Sequence, residues 1–88
     1  MRIAVIGIVI EKDRTASKAV NEVLSNFGDY IVGRMGIPDN TSEVFVISII
    51  MKATNEIISS MTGKLGRIDN VTVKSAITSV EVWFKMTL

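Results

Sequence analysis

The chain has 88 residues, 48% of them apolar and 22% charged, which describes one folded domain with a modest core. Its ten lysines and arginines are scattered and the net charge is +1, so neither nucleic acid nor an acidic membrane finds an electrostatic footprint. Cysteine and histidine are both absent, which removes disulfides, thiolate ligands and the commonest general base, and excludes a structural zinc site.

Residues 1–10 are apolar apart from Arg2, yet too short to span a bilayer, which takes about 20 residues. No A-x-A-like cleavage site follows, so the run reads as a strand and the protein as cytoplasmic. Within it, IAVIGIVI at residues 3–10 is apolar at both parities, the pattern of a strand buried on two faces. A charged loop at residues 11–14 follows, in which Asp13 is placed to cap a helix. Ala16, Ala19, Val20, Val23, Leu24 and Phe27 then fall on one helical stripe, and Gly28 fits the left-handed position that ends a helix. In the next strand Ile31, Met35 and Ile37 point one way, and Tyr30, Val32 and Arg34 the other. Gly28, Gly33 and Gly36 all fall in this short stretch. Glycine weakens a strand, so backbone, ligand or partner is expected close to at least one of them.

Pro38-Asp39-Asn40 turns the chain, and VFVISIIM at residues 44–51 forms a second two-sided apolar strand. Thr54 or Asn55 caps a second helix, whose buried stripe is Ile57, Ile58, Met61 and Leu65 and whose stop is Gly66. Gly63, inside that helix, reads as a close helix-on-sheet contact. Asp69-Asn70 then leads into a half-exposed edge strand over residues 71–77. The order strand, helix, strand, strand, helix, strand predicts an α+β, ferredoxin-like βαββαβ sandwich, an antiparallel sheet with both helices on one face. Its two most apolar segments are the two that this topology places in the centre. Residues 79–88 alternate like an extra C-terminal strand, giving a domain at residues 1–78 and a strand-like extension at 79–88. The extension either prolongs the fourth strand or crosses to another subunit.

No catalytic constellation accompanies this fold. Gly7 stands alone, and Thr62-Gly63-Lys64 lies inside a helix without the upstream glycine of a P-loop. RNA-binding domains of this fold stack bases on aromatics of the central strands, where this chain offers Ile, Val and Ser with only Phe45. A Ser or Thr nucleophile would need a lysine or carboxylate base, and no spacing points to one. The chain therefore reads as no enzyme, with no cofactor and no metal. Glu11 and Asp13 form a pair of neighbouring carboxylates, most simply a solvated loop with a helix cap. Arg34, a planar guanidinium inside a strand, reads either as an anion or carboxylate holder or as a salt-bridged or solvated edge arginine.

Two helices cover only one face of such a sheet, so a monomer would show polar residues at every second position of the central strands. Both parities are apolar here, with Ser48 the exception on the third strand. The leftover side chains call for a homo-oligomer, a dimer or a tetramer, with the tail contributing. The expected contact set is Ile6, Ile8, Val46, Ile50 and Phe84.

The order N-E-V-L-S-N-F-G-D-Y-I-V-G-R-M-G-I-P, an isoleucine-rich strand, then M-T-G-K-L-G-R-I-D-N-V-T-V-K, resembles the ACT-like family of iron-only hydrogenase system regulators. The likeness runs over about residues 3–77, and its paired markers are Arg34-x-Gly36-x-Pro38 and Gly63-Lys64-Leu65-Gly66. From Ser79 onward the chain departs from the pattern. The resemblance implies a small regulatory or sensor domain, related to ACT and nickel-regulator C-terminal domains and acting as an oligomer. It implies small effectors, often amino acids, near the loop after the first strand and at subunit interfaces. Nickel-regulator domains bind metal through His and Cys, which this chain lacks, so metal sensing does not carry over. No helix-turn-helix or ribbon-helix-helix segment precedes the domain, so DNA binding would need another chain. Glu11, Asp13, Arg34 and Gly36 are the candidate residues for a small anionic or amino-acid effector. The alternative is a structural interaction module that binds no small molecule.

Overall fold

The computed structural model describes residues 1–11, 13–39 and 43–82. Strand β1 (Arg2–Glu11) is followed by helix α1 (Arg14–Asn26), strands β2 (Ile31–Asp39) and β3 (Val44–Ala53), helix α2 (Asn55–Gly66) and strand β4 (Val71–Glu81). The sheet order is β2-β3-β1-β4, with every neighbour antiparallel. The two most apolar strands are thus central. This is the ferredoxin-like arrangement that the element order predicts.

Both helices start at side-chain caps, because the first N–H groups of a helix have no partner within it. The Asp13 carboxylate accepts from the backbone N–H of Thr15 and Ala16, and the Thr54 hydroxyl accepts from that of Ile57. Ala16, Val20 and Leu24 of α1 and Ile58, Met61 and Leu65 of α2 lie buried on the sheet. They meet Ala4, Ile6, Ile8 and Ile10 of β1 and Ile47, Ile49, Met51 and Ala53 of β3. Fully burying each large aliphatic chain contributes about 1.5–3 kcal/mol, so this single layer carries most of the fold. Lys64 stands over the Phe27 ring at 5.4 Å and links α2 to the end of α1.

Several local expectations change. No glycine has a positive φ; among the described residues the left-handed ones are Glu43 and Asn70. Phe27 ends α1, while Gly28 opens a single 3₁₀ turn over Gly28–Tyr30. Arg67, not a left-handed glycine, ends α2. A methyl at Gly63 would meet nothing within 4 Å, so no close helix-on-sheet contact explains that glycine. β4 runs without a break to Glu81, so residues 79–81 prolong the fourth strand. Its far end is tied to the chain start by Val82 N–H to the Met1 carbonyl at 2.8 Å and Arg2 to the Ser79 carbonyl at 2.7 Å.

Strand β2 carries a bulge. Ile31 pairs with Met51 and Gly33 with Ile50, so Val32 is an extra residue in the ladder. The insertion flips the face assignment that strict alternation gives. Ile31 lies on the helix-covered face with Arg34 and Gly36, and Met35 and Ile37 lie on the other.

Candidate functional site

The β1–α1 turn and the end of the β2–β3 pair enclose a cleft of about 190 Å³. Ile10, Val44 and Phe45 give it apolar wall, and Glu11 at the end of β1 with Asp13, Arg14 and Ser17 at the start of α1 bring polar groups. Two of the four candidate ligand residues, Glu11 and Asp13, therefore meet here. Glu11 is exposed, and its backbone N–H donates to the Asn70 carbonyl at 2.9 Å. Asn70, in its left-handed conformation, also donates its side-chain amide to Asp13 Oδ2 at 2.9 Å. Asp13 Oδ1 accepts from Thr15 and Ala16 at 2.9 and 3.2 Å. The Asn70 amide first, and the Ala16 backbone N–H next, hold the Asp13 carboxyl below its ordinary value. Both oxygens of Asp13 are engaged in shaping the turn. Exposed Glu11, Asp39 and Glu43 also line the cleft, so Arg14 stands as a guanidinium among carboxylates.

Gly36 belongs to this site indirectly. A Cβ built on it would stand 2.9 Å from Phe45 Cζ and 3.1 Å from Cε1. Phe45 pairs with Pro38 on the helix-covered face, and its ring leans diagonally over Gly36 while lining the cleft. The glycine is the space that the ring occupies. Sequence reasoning singled out Gly36 but missed Phe45 and Arg14 as wall residues. The contact joins neighbouring strands, and only the bulged register reveals it.

Arg34 is elsewhere. It reaches across to α1, where its guanidinium donates to Asn21 Oδ1 at 2.9 Å. It borders a second, smaller dent of about 160 Å³ with Gly33, Met35, Ser48 and Ile50. The expected contact set is also divided. Ile6 and Ile8 are fully buried beneath the helices and have no surface to offer. Pairing of Val5 with Ile50 and Val9 with Val46 puts Val46 and Ile50 on the opposite, uncovered face. Phe84 lies outside the described residues. Among the described residues, no group of three or more Asp, Glu, His or Cys is placed to hold a metal ion, and no helix is long and apolar enough to cross a membrane.

The profile of the family described as "TM1266-like: Iron-only hydrogenase system regulator, putative" matches residues 2–75. Among solved structures, the uncharacterized protein TM1266 from Thermotoga maritima is 36% identical, with a TM-score of 0.85 over 86% of this chain and 95% of that one. The C-terminal domain of the MgtC protein from Mycobacterium tuberculosis has a TM-score of 0.64 at 9% identity, over 89% of this chain and 88% of that one. A formyltetrahydrofolate deformylase from Pseudomonas putida KT2440 has a TM-score of 0.61 at 9% identity, over 84% of this chain and 28% of that one. At 9% identity the last two share the fold alone. No curated protein matches the chain.

Proposed function

Because this chain belongs to the TM1266-like family of iron-only hydrogenase system regulators, we propose that it is a non-enzymatic regulatory domain that works as a homo-oligomer and senses a small effector. The effector site is the cleft between the β1–α1 turn and the β2–β3 pair. The observation that carries this reading is the Gly36–Phe45 contact. It sets an aromatic ring in the wall of a small cleft that also presents Glu11 and Arg14. A carboxylate, a guanidinium and an apolar ring suit a small zwitterion: an ammonium at Glu11, a carboxylate at Arg14 and a side chain against Phe45. At about 190 Å³ the cleft is smaller than the roughly 300–1,000 Å³ of drug-sized sites, and Asp39 and Glu43 add to its acidic lining, which favours an amino acid over an inorganic anion or a nucleotide.

Thermal-shift screening of the full chain against amino acids, inorganic anions and nucleotides tests the reading. A saturable rise in melting temperature with one compound, abolished by Arg14→Gln or Glu11→Gln, is the expected result. Silence across the panel would refute the sensor and leave an interaction module that binds no small molecule.

A further inference from the structure

We propose that the uncovered face of the sheet is the contact between two copies of this chain, stacked about a two-fold axis that runs across the strands along the Gly7–Ser48 row. The inference rests on the homo-oligomer part of the reading above and names its geometry.

Cross-strand register sorts this face into rows. The middle row is Met35, Ser48, Gly7 and Lys74, low at its centre because Ser48 and Gly7 carry little or no side chain. On one side lies the row of Gly33, Ile50, Val5 and Ala76; on the other, Ile37, Val46, Val9 and Thr72. Val5, Ile50, Val46, Met35 and Ile37 are 37–61% exposed, although they belong to a sheet whose other side is sealed. Such a contiguous apolar surface marks an interaction site.

Gly33 indicates what covers it. Its φ is not left-handed, and a Cβ there would meet nothing within 4 Å, so neither backbone strain nor crowding within one chain requires a glycine beside the bulge. Its missing side chain leaves the dent bordered by Met35, Ser48 and Ile50. Gly33 and Ile37 stand two residues either side of Met35. A two-fold along the middle row therefore lays Ile37 of each copy over the dent of the other, a hole and a knob in one self-complementary patch.

Charge selects this axis over the alternative. Lys52, paired with Ile3, lies toward one end of the face, and Glu11, paired with Val44, toward the other, each four residues from the middle row. The proposed axis brings Lys52 of one copy beside Glu11 of the second. An axis along the strands would bring Lys52 beside Lys52 and Glu11 beside Glu11. The same axis sets Lys74, at the edge-strand end of the middle row, opposite Lys74 of the second copy. There each stem covers apolar surface while the ammonium turns out to water, so this one like-charge pair counts less than the two pairs of Lys52 with Glu11.

Area favours a whole second sheet over a smaller occupant. Four strands of 9–11 residues span roughly 19 by 30 Å at standard spacings, or on the order of 570 Å² on each copy. Stacking both copies would remove about 1,100 Å² in total, above the roughly 1,000 Å² expected of a specific interface. A single added strand would cover about a quarter of that width.

The test uses the full chain in sedimentation equilibrium at micromolar concentration. The wild type should sediment at twice 9.6 kDa. Ile50→Lys should raise the dimer dissociation constant by about 100-fold or more, since it buries an unpaired ammonium, while circular dichroism stays native because Ile50 is exposed in one copy. Lys52→Glu should weaken the dimer, and adding Glu11→Lys should restore it. If Ile50→Lys unfolds, Ser48→Cys gives the chain its one thiol, on the axis row. A short bis-maleimide should then link two chains, whereas Glu22→Cys on α1 should give no covalent dimer. A wild-type dimer indifferent to Ile50→Lys, or linked through Glu22→Cys and not Ser48→Cys, would overturn the stacked geometry and leave the homo-oligomer standing. A wild-type monomer would overturn both.

Discussion

Replacing Gly36 with alanine is the sharpest probe of how the fold shapes the cleft. The new methyl would stand 2.9 Å from Phe45 Cζ, closer than carbon atoms pack, so the ring must move. Overpacking of this kind costs about 1–3 kcal/mol, and the low end applies because the clash is with the far end of a half-buried ring. Alanine recovers about 0.5–1 kcal/mol of the backbone entropy that glycine loses in a strand. The net expectation is a small loss of up to about 0.5 kcal/mol, or a fall of up to about 2–4 °C in melting temperature for a domain this size. Urea denaturation measures the first quantity and calorimetry the second. Phe45→Leu in the Gly36→Ala background removes the clash, so the double-mutant cycle should show coupling of at least about 0.5 kcal/mol. A Gly36→Ala protein as stable as the wild type, with no coupling to position 45, would refute the argument.

Gly63→Ala should act in the opposite direction. The position is exposed, interior to α2 and open to a methyl, so alanine should stabilise by about 0.5–1 kcal/mol in the same denaturation assay. Asp13 gives the acid limb of the stability curve a definite sign. Its folded pKa lies below its ordinary value, so its contribution is complete above the unfolded pKa of about 3.9 and is lost as pH falls below that. Asp13→Asn, which keeps a capping oxygen but loses the charge, should flatten the pH dependence of melting temperature in that acid window and lower the melting temperature at neutrality, where the carboxylate's contribution is complete.

The sequence states the element order, the caps and the central strands with little ambiguity, because each rests on local chemistry. Asp13 and Thr54 precede helical stripes, and residues 3–10 and 44–51 are apolar enough only for the middle of a sheet. Which parity faces the helices is harder to read, since both are apolar. Ile6 and Ile8 were on the wrong side of that choice for an outer contact. The available signal was the pair of weak positions, Gly7 and Ser48, which antiparallel register puts opposite each other on the uncovered face. The bulge at Val32 has no local signature strong enough to foresee, and it moves Arg34 to the same side as Ile31. The cleft was half legible. Glu11 and Asp13 follow from chain order, whereas Phe45 enters only through its diagonal contact with Gly36.

Glu11 ties the two proposals together, because it stands at the cleft and, in the stacked pair, beside Lys52 of the second copy. A ligand ammonium at Glu11 would compete with that lysine, so an amino acid in the cleft should loosen the dimer. Linkage makes the effect reciprocal: whatever factor the ligand adds per site to the dimer dissociation constant, dimerisation must subtract from ligand affinity. Coupling free energies of this kind are typically about 1–3 kcal/mol, or roughly 5–150-fold, well within reach of sedimentation. Two measurements on one sample series therefore check each other: dimer dissociation with and without the amino acid that raises the melting temperature, and its affinity at low and high protein concentration. With Lys52→Gln the competing ammonium is gone, so the dimer should be weaker at the outset and insensitive to ligand. A ligand that leaves the dimer equilibrium unmoved in the wild type would separate cleft from interface and refute the coupling.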